Sequence, residues 1–549
     1  MLFCDVKDLP MLKNRLLLFI FLAMLAFTGC AKRGYITGGA KDTIPPTITG
    51  SSPRNMSTGF RGKEIRIDFD EYIKIKDVNK QLIISPPMET QPEITPTGSA
   101  SKFIRIKIKD TLQPDTTYSF NFGQSITDNN EGNPYSQFRF VFSTGSYIDS
   151  LSLNGKIKDA LSQKADNFVT VMLYEYNESY NDSTVFNERP RYVTNTLDSM
   201  VMYSLQNLKQ GKYRLFALKD NNNNYRYDPR SDKIAFLDEI ITLPNDTLYQ
   251  LELFKENLPY KPKKPVQATS NRLFAGYQGN AKAEEIKVKV AHAVTNEAIE
   301  AITTNVKEKD SVQVWLPRNI TADSLLVNVA YRDSVKDYTV RFKEMKTADS
   351  LTVTAVQKSG LHFRETFTLQ PSTPLTAIDT TRIKLIRKDS TAVPFTYAYN
   401  DFEQELKLDF KKEENQKYSF TLLPGALRDF YTQENDTLTY NLTTRTLNDY
   451  GNLVINLQNV NRFPVIVQIT NAKEEVQAEY YSEGETKINF DAVQPAAYTI
   501  RVIYDDNKNG EWDTGNYLEK RQPEQVIYFP KPVDVRASWD VNQDFNLGG

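Results

Sequence analysis

The stretch Tyr213-Arg-Leu-Phe-Ala-Leu-Lys-Asp220-Asn-Asn222-Asn-Asn224-Tyr-Arg-Tyr-Asp228 returns near the C-terminus as Tyr498-Thr-Ile-Arg-Val-Ile-Tyr-Asp505-Asp-Asn507-Lys-Asn509-Gly-Glu-Trp-Asp513. Both copies run from a strand-like segment into an Asp-x-Asn-x-Asn-x-x-x-Asp loop. A strand with its loop recurring so far apart marks a duplicated module and not one catalytic centre.

Composition agrees with an all-β chain. Its 549 residues are enough for several domains, and Tyr and Phe dominate an aromatic share of 11%. The 67 basic and 69 acidic side chains nearly cancel, so charge gives no case for nucleic acid. Cys4 and Cys30 are the only cysteines and both lie in the leader, so no disulfide framework exists. With only His292 and His362, histidine-based triads and imidazole-zinc sites are largely excluded. Trp315, Trp512 and Trp539 read as core or turn packing residues, with stacking on sugars as the alternative.

The leader has a basic start at Met11-Leu-Lys-Asn-Arg15, an apolar run from Leu16 to Phe27, then Thr28-Gly29-Cys30. That is the form of a signal peptide, too short to span a bilayer comfortably. Ala26-Phe27-Thr28-Gly29-Cys30 resembles a bacterial lipobox, with bulky Phe27 as a departure. The resemblance implies that residues 1–30 are a lipoprotein signal and that Cys30 is acylated, anchoring the chain to the outer membrane. Residues 31–44 then form a Gly-rich tether. The membrane face stays open, with the basic Lys32-Arg33 pair pointing weakly to the periplasmic side.

Residues 45–146 alternate cleanly, as in Ile65-Arg-Ile67-Asp-Phe69 and Ile104-Arg-Ile106-Lys-Ile108. Pro45-Pro46-Thr47, Ile84-Ser85-Pro86, Leu112 to Tyr118 and Phe142-Ser143-Thr144-Gly145 resemble the SbsA-type bacterial immunoglobulin-like family. That family implies a spacer or binding sandwich without catalytic residues. Residues 150–256 resemble transthyretin-like or Cna B-type sandwiches, on the Gly211 to Leu215 turn and strand before the first loop. Residues 257–266 read as a Pro/Lys linker and 267–355 as an unassigned β domain. Residues 356–447 read as a degenerate second immunoglobulin-like copy, and 448–549 as the second transthyretin-like sandwich. The expected architecture is a string of such sandwiches behind the signal peptide.

Alternate residues of a tight loop can aim oxygens at one centre. Asp220, Asn222, Asn224 and Asp228 stand at positions 1, 3, 5 and 9, as do Asp505, Asn507, Asn509 and Asp513. All-oxygen ligands suit a structural Ca2+. The second copy has Gly510 at position 6, where the first has Tyr225. Neither has Glu at position 12, so a further carboxylate must come from Asp232 or Asp238, and from Glu519 or Glu524. The alternative is a pair of Asn-rich turns held by side-chain-to-backbone hydrogen bonds. Repeated Asp-Ser/Thr triplets such as Asp110-Thr-Leu, Asp198-Ser-Met and Asp349-Ser-Leu read as turns opening strands, and also resemble an O-glycosylation acceptor of Gram-negative envelopes.

The sequence therefore predicts a non-catalytic envelope lipoprotein that serves as scaffold or binding module. Its partner is the membrane through Cys30 plus an envelope protein or glycan. The competing reading is a glycan-handling enzyme or accessory subunit using carboxylates such as Asp68 and Asp70 or the loop aspartates.

Overall fold

The computed structural model describes residues 42–197 and 201–548. Cys30, the 1–30 signal peptide, most of the 31–44 tether and the Asp198-Ser-Met triplet lie outside the described residues. Among the described residues the chain is built from strands, with single-turn α-helices at Val78–Gln81 and Thr184–Asn187. The strands form five successive two-layer units, each with its own apolar core.

In the first unit, Ile48–Ser52, Glu64–Ile75, Ser101–Lys107 and Glu93–Thr95 make one sheet. Ile83–Ser85, Thr117–Asn121 and Arg139–Ser143 make the other. Period-two alternation turns Ile65, Ile67, Ile104 and Ile106 inward against Phe120, Phe140 and Phe142, all essentially without solvent contact. The end of Glu64–Ile75 crosses over to pair with Ile126–Asp128.

The fourth unit repeats this order. Val353–Ala355, Phe367–Pro371, Glu405–Phe410 and Phe395–Asn400 face Ile383–Arg387, Lys417–Leu422 and Leu438–Thr443. Here the long second strand is split, and its second part, Leu375–Ile378, pairs with Leu427–Asp429. A tyrosine corner recurs as well. The Tyr118 hydroxyl accepts from the Gln113 amide, and the Tyr418 hydroxyl from the Glu413 amide. Thr144 Oγ1 and Thr444 Oγ1 donate to the carbonyls of those same residues.

The second and fifth units also share one topology. Thr170–Glu175, Gly211–Lys219 and Lys233–Phe236 correspond to Val465–Thr470, Ala496–Tyr504 and Val526–Tyr528. In each, the last strand runs parallel to the first: Leu248–Leu253 beside Leu151–Asp159, and Asp540–Asn546 beside Gly451–Gln458. The third unit packs the sheet of Arg272–Gln278 and Ser311–Trp315 on that of Lys287–His292, Ser324–Tyr331 and Ser334–Arg341.

Three features differ from the sequence reading. Val353–Ala355 pairs with Phe367–Pro371, so the fourth unit starts before 356. Residues 257–266 are not a bare linker: Lys261–Pro262 pairs with Arg272–Gln278, and the Tyr260 ring lies 4.6 Å from that of Tyr331. The string also folds back on itself, because the fifth unit docks on the second. The Tyr528 hydroxyl and the Arg501 guanidinium both reach the Leu161 carbonyl, while the Gln163 amide donates to Glu474. The third and fourth units meet at Asn305–Glu403 and Tyr431–Asn271, and the fourth and fifth at His362–Ala492. Units two to five thus close a ring, and the first unit rides on the second through Ser85–Val193 and Asp149–Asn207.

Candidate functional site

Each Asp/Asn loop leaves the end of a buried central strand, Gly211–Lys219 or Ala496–Tyr504. Position 1 is therefore drawn inside: Asp220 is buried and Asp505 nearly inaccessible. Their carboxylates organise the backbone. Asp220 accepts from the Asn222 and Tyr225 amides, and Asp505 from the Asn509 and Gly510 amides. At position 5, Asn224 Oδ1 accepts from the Arg226 amide and Asn509 Oδ1 from the Glu511 amide. Positions 4 and 6 are left-handed in both copies, at Asn223 (φ 52°) and Tyr225 (φ 60°), and at Lys508 (φ 62°) and Gly510 (φ 79°). Tyr225 thus takes the conformation for which the second copy uses glycine, and the first position-1 carboxylate still binds its amide.

A second carboxylate closes each loop. Asp232, fully buried, accepts from the Asn221 amide at 3.1 Å and the Asp228 amide at 2.9 Å. Glu524, also buried, accepts from the Asp506 amide at 2.7 Å and the Asp513 amide at 2.9 Å. These are the same two loop positions, 2 and 9, bridged by a carboxylate from different places in the sequence. Asp238 does not take this place, and Glu519 instead lies exposed beside Arg521. In each loop two desolvated carboxylates lie close. Burial raises the Glu524 carboxyl above the usual range against the lowering effect of the Asp513 and Asp506 amide bonds, and Asp505's charge adds a smaller upward effect. Burial and then Asp232's charge raise that of Asp220, against the lowering effect of the Tyr225 amide bond.

The remaining predicted ligands are engaged within the loops. Asp228 pairs with Arg230, whose guanidinium bond holds its carboxyl below the ordinary value. Asn222 Nδ2 donates to Ser231 Oγ. Asn507 Nδ2 and Asn509 Nδ2 both donate to Asp513 Oδ2 at 2.6 Å. Among the described residues, no group of three or more His, Cys, Asp and Glu side chains converges in a metal-holding arrangement.

The segment that follows the second loop forms the ring-closing latch, which sequence reasoning missed. Tyr517 is fully buried, with its ring 5.2 Å from Phe236, 5.5 Å from Phe216 and 5.9 Å from Phe186 of the second unit. Its amide donates to Glu256, Thr514 Oγ1 to the Lys255 carbonyl, and Gln522 Nε2 to the Phe236 carbonyl. Lys520 pairs with Asp182 at 2.6 Å. A Cβ on Gly515 would stand 2.6 Å from the Phe254 ring, so this contact requires glycine. The two loops meet here, for Tyr227 at position 8 of the first and Trp512 at position 8 of the second join one aromatic cluster. The one sequence signal for the latch is the Gly515-Asn-Tyr517 step after an already ordered loop.

The other sequence candidates stand apart. Asp68 pairs with Arg66 and Asp70 accepts from the Thr47 amide and hydroxyl, both on an outward strand face. The Thr47 bonds hold the Asp70 carboxyl low. His362 is buried edge-on against Tyr450, with Nε2 at 2.6 Å from the Ala492 carbonyl, and burial lowers its pKa. Trp315 is core and donates to Thr304, whereas Trp539 is 53% exposed under Arg536 and is not a core residue.

Residues 42–144 match the model of the bacterial Ig-like domain, Big_5. No curated protein matches the chain. Among solved structures, the S-layer protein rSbsC(31-844) is similar at 11% identity over 89% of this chain and 67% of that one, with a TM-score of 0.15. The titin domains z1z2 in complex with telethonin are similar at 11% identity over 35% of this chain and 98% of that one, with a TM-score of 0.13. The chain is all-β, a tandem of β-sandwiches whose first member is a bacterial Ig-like domain.

Proposed function

We propose that this chain is a non-catalytic envelope lipoprotein, held at the outer membrane by acylated Cys30, whose sandwiches form a rigid scaffold or binding module. One observation carries the reading. The repeated Asp/Asn loops spend their carboxylates on shaping their own backbone, and the segment after the second positions a latch between two modules. Asp68 and Asp70, which a glycan-cleaving reading would use, are paired on an open strand face.

In this proposal each loop takes one structural Ca2+. Two buried carboxylates beside amide oxygens form a hard, all-oxygen donor set, and a cation would favour the ionised forms that burial, chiefly, disfavours at Glu524 and Asp220. Asp505, Asn507, Asn509 and Asp513 are the ligands in one loop and Asp220, Asn222, Asn224 and Asp228 in the other. Asn222, Asn507 and Asn509 donate through Nδ2 here, so binding requires their amides to turn oxygen toward the ion.

The anchor is tested by Cys30→Ser. The wild-type chain should sediment with outer membranes and take up labelled palmitate, and the variant should do neither. A variant that still sediments and still labels would sink the lipoprotein reading.

A further inference from the structure

Between the first and second units lies a cleft of about 510 Å³, within the size range of small-molecule sites. Segments 86–89 and 110–113 wall one side of the cleft, and segment 177–191 with the end of the strand Thr170–Glu175 walls the other. Its charge is mixed. Glu89, Asp110, Glu175 and Glu188 face Arg189, Arg191 and Arg226, which disfavours a polyphosphate or nucleic acid. Two of these arginines hold the units together. Arg189 donates to the Met88 carbonyl, and Arg191 binds Gln113, Thr116 and Glu175. Arg226 differs: it is exposed, and its guanidinium makes no ion pair among the described residues. Asn177 and Asn187 add exposed amides, and the Tyr180 ring, 5.6 Å from Tyr176, adds an aromatic surface.

We infer that this cleft binds a neutral glycan, whose hydroxyls are shared among Arg226, Asn177, Asn187, Asp110 and Glu188. A hydroxyl both donates and accepts, so it can satisfy interleaved guanidinium, amide and carboxylate groups that no singly charged ligand would satisfy together. An apolar ligand would strip water from the Arg226 guanidinium and the exposed Glu188 carboxylate and offer them no hydrogen bond in return. The inference deepens the binding-module reading but is independent of the anchor at Cys30.

The test is calorimetric titration of the full chain in detergent with maltohexaose, cellohexaose, chitohexaose and xylohexaose. At least one should bind, and Arg226→Ala and Asn187→Ala should each weaken it by about tenfold, the loss of one good hydrogen bond. Both side chains are exposed, so the variants fold, and unchanged melting confirms it. Glu344→Ala, in a distant groove of the third unit, should leave binding intact. Binding by none of the four sugars, or binding unchanged in both variants, would overturn the inference. Membrane sedimentation of the same variants reports the anchor separately.

Discussion

At the scale of single residues, the carboxylate bridging positions 2 and 9 decides loop shape. Glu524 serves two part-buried backbone amides at once, and Glu524→Ala leaves both without that acceptor. The expected loss is roughly 2–4 kcal/mol in the fifth unit, read as faster hydrogen exchange at the Asp506 and Asp513 amides. Burial raises the Glu524 pKa above its ordinary value, so the contribution of this ionisation is present below the unfolded glutamate value and is lost as pH rises through the folded one. In chelator, the stability of wild type relative to Glu524→Gln should therefore fall as pH rises across that window. A bound cation favours the ionised form, so millimolar Ca2+ should flatten the fall and raise the melting temperature. A pH-independent difference together with no response to Ca2+ would reduce both loops to hydrogen-bonded turns.

At the scale of elements, strands and repeats were legible and long-range contacts were not. Gly155 shows why. In the sequence it only opens an alternating run, yet it lies at an inward position of Leu151–Asp159 where a Cβ would collide with the Tyr203 hydroxyl and the Tyr249 carbonyl. Those two groups hydrogen-bond each other across the strand that glycine thins. Gly155→Ala should destabilise the second unit by about 1–3 kcal/mol, or more if neither tyrosine can shift. Local hydrogen exchange would show this, and wild-type protection in the variant would contradict the packing described. The boundary near 356 fell too late because the short strand Val353–Ala355 finds its partner, Phe367–Pro371, only in the folded chain, while Asp349 just before it is tied to Thr269 and Arg272 of the third unit. The closing carboxylates, narrowed by sequence to pairs of candidates, could not be chosen because Asp232 and Glu524 reach the same amides along different chain paths.

At the scale of the whole molecule, the ring depends on one aromatic key. Composition and periodicity carry no information about which units touch, since Tyr517 resembles any other turn tyrosine until Phe186, Phe216 and Phe236 surround it. Truncating a fully buried aromatic side chain costs about 3–5 kcal/mol. Here that cost falls on the docking of the second unit against the fifth, which is intramolecular through the two intervening units. A loss of that size lowers the docking constant by about a thousandfold. Tyr517→Ala should therefore open the ring while each sandwich stays folded, because the cores of the individual units do not include the latch contact with the fifth. Small-angle scattering should report a larger radius of gyration, with an unchanged far-ultraviolet spectrum. Asp505→Ala should open the ring in the same direction, because its two backbone bonds shape the loop from which Tyr517 projects. If both variants keep the wild-type radius, the sheet-face contacts at Leu161, Arg501 and Tyr528 hold the ring shut by themselves, and the loops are not its latch.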